Sequence, residues 1–294
     1  MDAILEARKE IVYWSKKVQE YGFVSVTDGN LSIRLDEDRV MITPSGLPKG
    51  EMELESPIII DMNGSKLEGG GKPSSEGKLH LEVFHLRPDV RAVIHAHPPK
   101  CIAFTVAGLP IDTCLLPEVV VTLGAIPTSN YATPTTEEVP ESIRPHIAKS
   151  NAVMMARHGS LTVGNTLQEA FRLLEKMEHC ASITLYAKML GGPVPFSREE
   201  LDKLYALRPS WGVQGQPPAC TDSGSCSLQQ REKLSQAAAA AGTCSLYAGS
   251  PDKGGEDGGS YGSGITSGVN GSAEADLEKM IDLITDRVKE KLGI

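Results

Sequence analysis

The 294-residue chain changes character near Trp211, and that break limits what it can fold into. Upstream, apolar segments alternate with short turn signals. Downstream come GVQGQPPAC and GSPDKGGEDGGSYGSGITSGVNGS, too poor in apolar side chains to offset the entropy of ordering them. Residues 213–272 therefore read as a flexible Gly/Ser/Ala-rich linker. Within it, 228–241 favours helix through its alanines but has a thin apolar face. Residues 273–294 recover a helical period. Leu277, Met280, Ile281, Ile284, Val288 and Leu292 recur at steps of three and four. The expected organisation is a globular body over 1–212, a tether and a terminal amphipathic helix.

Inside the body the patterning is mixed. A helix is expected over 4–20, with Leu5, Val12 and Val18 among its buried positions. Strands over 31–35 and 39–43 form a hairpin, and a strand over 57–61 ends at the turn dipeptide Asn63-Gly64. Ser74 or Ser75 caps a helix running to 86, where Pro88 prevents extension. A strand over 92–97, a helix over 99–106 and a short strand over 125–128 follow. A proline-interrupted helix spans 137–149, a buried strand 152–156, and the longest helix 166–190. Hairpins mixed with helices exclude a purely parallel doubly wound sheet.

Charge narrows the partners. With 38 acidic against 29 basic side chains the net charge is −9, the wrong sign for tracking nucleic-acid phosphates. No apolar run approaches the roughly 20 residues that span a bilayer, so no membrane partner is expected. The first residues lack the apolar core and cleavage site of a secretory signal. The six cysteines form no C-x-x-C pair. A cytoplasmic protein with reduced thiols is expected.

The central chemical signal is AVIHAHPP. A strand sends alternate side chains to one face, so His95 and His97 point together at its proline-terminated end. Two imidazoles there either bind a divalent metal, zinc most commonly, or sit as polar residues at a solvated strand end. His158, between a buried strand and a glycine turn, is either a third ligand or a packed turn residue. Glu76 opens a helix behind two serines. It stabilises the helix start, or it is a fourth ligand and general base. His80 and His85, inside that helix, read as structural or supporting residues. TDGNLS, TPSG and PSSE place Asn30, Ser45, Gly46, Ser74 and Ser75 at turns and a helix start that together can surround a phosphate.

In order, DGNLS, MITPSG, PSSEGKLHLEVFHLRPDVRAVIHAHPP, IPTSNYATP and ARHGSLTVGNTLQEAFRLLEKMEHCA resemble the class II aldolase/adducin family, its L-fuculose-phosphate aldolases above all. The resemblance covers residues 5–211. It implies a three-layer α/β/α fold with a central, mostly antiparallel sheet, and a homotetramer with active sites between subunits. It implies Zn2+ held by His95, His97 and His158, with Glu76 as resting ligand and catalytic acid/base. It implies a substrate-phosphate site of Asn30, Ser45, Gly46, Ser74 and Ser75. The implied reaction cleaves a ketose 1-phosphate, such as L-fuculose 1-phosphate, to dihydroxyacetone phosphate and lactaldehyde. Within the family the neighbouring activities are rhamnulose-phosphate aldolase and sugar-phosphate 4-epimerase. A non-catalytic adducin-like binding module predicts missing ligands, whereas all four positions are filled. Two positions depart. Leu116, with Glu118 close by, stands where the family has its aldehyde-protonating tyrosine, and Trp211 where it has a second tyrosine. Tyr131 aligns with a tyrosine.

The terminal segment resembles the encapsulation peptides of bacterial microcompartments. That implies a shell protein as partner and a location within a microcompartment.

Overall fold

The computed structural model describes residues 3–213 and 219. The expected linker beyond 213 and the helix over 273–294 lie outside the described residues, Ala219 excepted. In chain order the elements begin with α1 (Ala3–Glu20), β1 (Asn30–Arg34), β2 (Arg39–Ile42), β3 (Ile58–Asp61) and β4 (Lys66–Glu68). Next come α2 (Gly77–Leu86), β5 (Ala92–Ala96), α3 (Pro99–Val106), α4 (Pro117–Thr122) and β6 (Thr128–Ser129). The last are α5 (Glu138–Ile147), β7 (Ala152–Met155), β8 (Gly159–Gly164), α6 (Leu167–Met189) and α7 (Arg198–Ala206).

The strands form one eight-stranded sheet in the order β4-β3-β2-β1-β5-β8-β7-β6. Every pairing is antiparallel except β6 with β7. Alternation along the strands divides the core in two. Val40, Ile42, Ile58, Ile60, Val93 and Val163 pack against α2 and α5. Their neighbours Met41, Ile59, Ile94 and Leu31 pack against α1 and α6 on the other face. A further cluster joins α3 and α4 to α6 through Phe104, Val119 and Met177. Both faces of the sheet are thus covered, giving the expected three-layer α/β/α arrangement with a mostly antiparallel sheet.

Local differences from the sequence expectations have physical causes. In α1 the buried row is Ala7, Ile11, Ser15 and Val18. Leu5 stands off that stripe and is exposed, and Val12 is only partly buried. The N-cap of α2 is Glu76, not Ser74 or Ser75, and the Ser74 hydroxyl accepts the Glu76 N–H instead. The short strand falls at Thr128–Ser129, because Pro127 has no N–H and the ladder starts after it, while Ile126 packs into the core. Gly159 does not make a turn; it opens β8, whose Leu161 and Val163 face the α2–α5 side. Cys101 and Cys180 are free and buried. Cys114 is disulfide-bonded, so the expectation of reduced thiols fails there.

Candidate metal centre and active site

His95 lies on β5, on the sheet face covered by α2, and its Cα partner on β1 is Asn30. His97 stands just past the strand end. His158 sits in the tight turn between β7 and β8, after Arg157, which takes a left-handed φ of 56°. The Arg157 N–H donates to the Thr105 hydroxyl, which helps to hold that strained turn. Ligand-capable nitrogens of His95, His97 and His158 all lie within 4.8 Å of one another. Two glycines allow this crowding. A Cβ on Gly159 would lie 2.8 Å from both the His95 and His97 rings and 2.6 Å from the Ala96 carbonyl. Gly29 has φ +71°, and a Cβ there would meet the His95 carbonyl at 2.9 Å.

The Glu76 carboxylate closes the cluster. One oxygen is 3.1 Å from His158 Nε2 and the other 3.3 Å from His95 Nε2. The second oxygen also accepts from Asn30 Nδ2 at 2.8 Å. Burial pushes the Glu76 carboxyl up. His95, His158 and the Asn30 amide outweigh that and hold it well below the usual carboxylate range. The Glu76 side chain makes no cap to its own helix, so its charge serves the histidines instead.

Tautomers follow from the acceptors present. The Ser160 carbonyl can only accept, so His95 Nδ1 carries the hydrogen in their 2.9 Å contact. That leaves His95 Nε2 bare, 3.0 Å from His97 Nε2. Burial pulls both rings down to about 4, so they are neutral near pH 7. Neutral imidazole nitrogens and a carboxylate oxygen facing one point are the donor set of a divalent zinc-type centre. The three histidines expected as ligands are therefore brought together, with Glu76 against two of them.

The five expected phosphate-site residues gather around the start of α2. Ser45 N–H donates to the Lys72 carbonyl, and a bridge between Pro44 and Pro73 brings the Ser45–Gly46 turn beside Ser74 and Ser75. Ser45, Gly46 and Ser75 are exposed, Ser74 is half-buried and Asn30 is buried. Glu118 lies elsewhere: its charge acts on Lys176 and Cys180. Leu116 packs into the apolar cluster under α3 and α4. Tyr131 and Trp211 are exposed.

Sequence reasoning missed neighbours of the site at three places. Asp28 places a carboxylate oxygen 3.6 Å from His97 Nδ1. Lys49 is buried, its ammonium donating to the carbonyls of Thr27 and Leu47. Thr135 and Thr136 line a small cavity with Ser75 and Glu76. The TDGN turn gave a weak pointer to Asp28. The other two depend on tertiary contacts.

The profile of the Class II Aldolase and Adducin N-terminal domain matches residues 9–185. A 5-deoxy-D-ribulose 1-phosphate aldolase of Bacillus thuringiensis serovar kurstaki is 31% identical over 209 residues, covering 70% of this chain and 97% of the relative. An L-fuculose phosphate aldolase of Haemophilus influenzae is 30% identical over 210 residues, covering 71% and 96%. A solved L-fuculose 1-phosphate aldolase superposes with a TM-score of 0.63 at 30% identity, over 68% of this chain and 95% of that one.

Proposed function

Because the chain belongs to the class II aldolase and adducin family, we propose that it cleaves a ketose 1-phosphate to dihydroxyacetone phosphate and a short aldehyde. The observation that carries this reading is the Glu76 carboxylate set against two of three convergent histidines, beside turns suited to an anion. L-fuculose 1-phosphate is the first substrate to test, with lactaldehyde as the second product. The relative at 31% identity supports a second reading, 5-deoxyribulose 1-phosphate, whose second product is acetaldehyde.

His95, His97 and His158 would hold zinc, with Glu76 completing the set at rest, and the bound cation supplies Lewis acidity toward the ketone. Cleavage breaks the C3–C4 bond. The C4 hydroxyl loses its proton, C4 becomes the aldehyde carbon, and the electron pair stays with C3. Glu76, ionised at rest, accepts the C4 hydroxyl proton and delivers it to C3; in condensation it removes the C3 proton and returns it to the aldehyde oxygen. Asn30, Ser45, Gly46, Ser74 and Ser75 hold the phosphate in register through turn N–H groups and the α2 N-terminus.

The same reading makes the body over 1–212 a homotetramer with sites between subunits. It makes 213–272 a tether and 273–294 a peptide that recruits the enzyme to a microcompartment shell in the cytoplasm. Support for recruitment comes from the apolar stripe. The segment has four basic and six acidic side chains, 4 − 6 = −2, which disfavours an anionic membrane surface. Among the described residues no helix is long and apolar enough to cross a membrane.

The deciding assay incubates metal-loaded protein with fuculose, rhamnulose and 5-deoxyribulose 1-phosphates and measures dihydroxyacetone phosphate. Glu76→Gln should retain metal, while proton exchange at C3 of dihydroxyacetone phosphate falls about a hundred to ten thousand fold. No release from any ketose 1-phosphate, or near-normal exchange in the variant, would overturn the reading.

A further inference from the structure

Three buried polar side chains form an unbroken line from the sheet to the half-buried Glu76. Ser32 Oγ lies 2.6 Å from His80 Nδ1. His80 Nε2 meets Asn30 Oδ1, and Asn30 Nδ2 meets Glu76 Oε2 at 2.8 Å. Ser32 and His80 are wholly buried, and Asn30 nearly so. Water therefore does not compete for these contacts.

Chemistry fixes each direction. The ionised Glu76 carboxylate only accepts, so the amide end facing it is the NH2 group. The Asn30 carbonyl oxygen then faces His80 and only accepts, so His80 Nε2 carries the ring hydrogen. Burial pulls His80 down to about 4, so the ring is neutral and its Nδ1 is bare. That nitrogen accepts the Ser32 hydroxyl hydrogen. The reverse amide flip would set a carbonyl oxygen against the Glu76 carboxylate and leave His80 with the wrong tautomer.

We propose that Ser32 and His80 are positioning residues that lock the Asn30 amide, so that its NH2 group always faces Glu76. The lock rests on α2, which carries both Glu76 at its N-cap and His80 one turn later. It aims the carboxylate at the reacting carbon and leaves the second Asn30 N–H available to a substrate oxygen. The inference rests on the reading of Glu76 as the proton carrier.

The test uses metal-loaded enzyme. His80→Leu removes both ring nitrogens, and kcat should fall about a hundredfold, the scale of a misplaced catalytic group. KM and metal content should stay within about threefold and unchanged, respectively. His80→Gln offers an N–H to Asn30 and an oxygen to Ser32, and it should restore most of kcat. Ser32→Ala should cost about tenfold or less, one buried hydrogen bond. On the wild-type protein, nitrogen-15 spectra should show His80 protonated at Nε2 and bare at Nδ1, the resonance being assigned by its loss in His80→Gln. That measurement decides the matter even if His80→Leu does not fold. The opposite tautomer overturns the lock. So does unchanged kcat in His80→Leu, or a loss of metal in step with activity. If Glu76→Gln keeps normal exchange, the Glu76 reading falls, while the tautomer still decides the lock.

Discussion

Lys49 carries its ammonium into the interior, only 1% exposed, and hydrogen-bonds two backbone carbonyls rather than a carboxylate. Burial pulls it down to about 8 from 10.5, against the opposing pull of Asp28 and Glu76. The folded state therefore binds fewer protons than the unfolded chain between those two values, and its stability gains as pH rises through that interval. Wild type should gain on Lys49→Met by at most about 1.4 kcal/mol per pH unit there, read from urea unfolding at several pH values. A pH-independent difference would mean that the ammonium is not desolvated. Nothing in PSGLPKGEM announces this role, because the partners Thr27 and Leu47 flank two separate turns. His95 and His97 were legible because a strand's period of two places them together. Glu76 and His158 were legible as candidates only, since each convergence needs a second element. His80 was legible as a supporting residue, but its chain to Asn30 and Ser32 spans about fifty positions.

Element by element, long periodic segments were the readable ones. The helix expected over 166–190 is α6, Leu167–Met189, with Thr166 accepting the Glu169 N–H as its cap. The helix expected over 99–106 is α3. Short elements escaped for separate reasons. The PEVVVT of α4 carries a β-branched run that favours strand by propensity. Pro117 at its first turn and the burial of Val119, Val120 and Val121 make it a helix. For α7 the signal was present: Ser197 and Glu200 form a capping box, but the segment abuts the compositional break. The proposed recruitment helix is tested at this scale too. Deleting 273–294 should leave kcat and KM unchanged while abolishing co-localisation with the shell, and fusing the segment to a fluorescent protein should confer it. Dissociation of the oligomer or loss of activity on deletion would assign the helix to the body instead.

Across the whole molecule, the proposed ligand set joins parts of the fold that are distant in sequence, so binding of a metal there would be linked to folding. A cation that binds only the native state stabilises it by mass action, about 4 kcal/mol at a thousandfold excess over Kd. Stripping the metal with a chelator should lower the melting temperature by roughly 10 °C. His95→Ala should melt at the same temperature with and without chelator, and an unshifted wild-type melt would argue against a resident metal. The register of the sheet adds a matter of timing. Asn30 pairs with His95 across β1 and β5, and His95 is oriented by Ser160, 65 positions further on. Loops of this length must close before any of these contacts forms, which raises contact order and slows folding. A chain emerging from the ribosome therefore offers scattered histidines but no chelating centre until β8 has been made. A growing chain cannot hold a cation in this site before the sheet that shapes it exists.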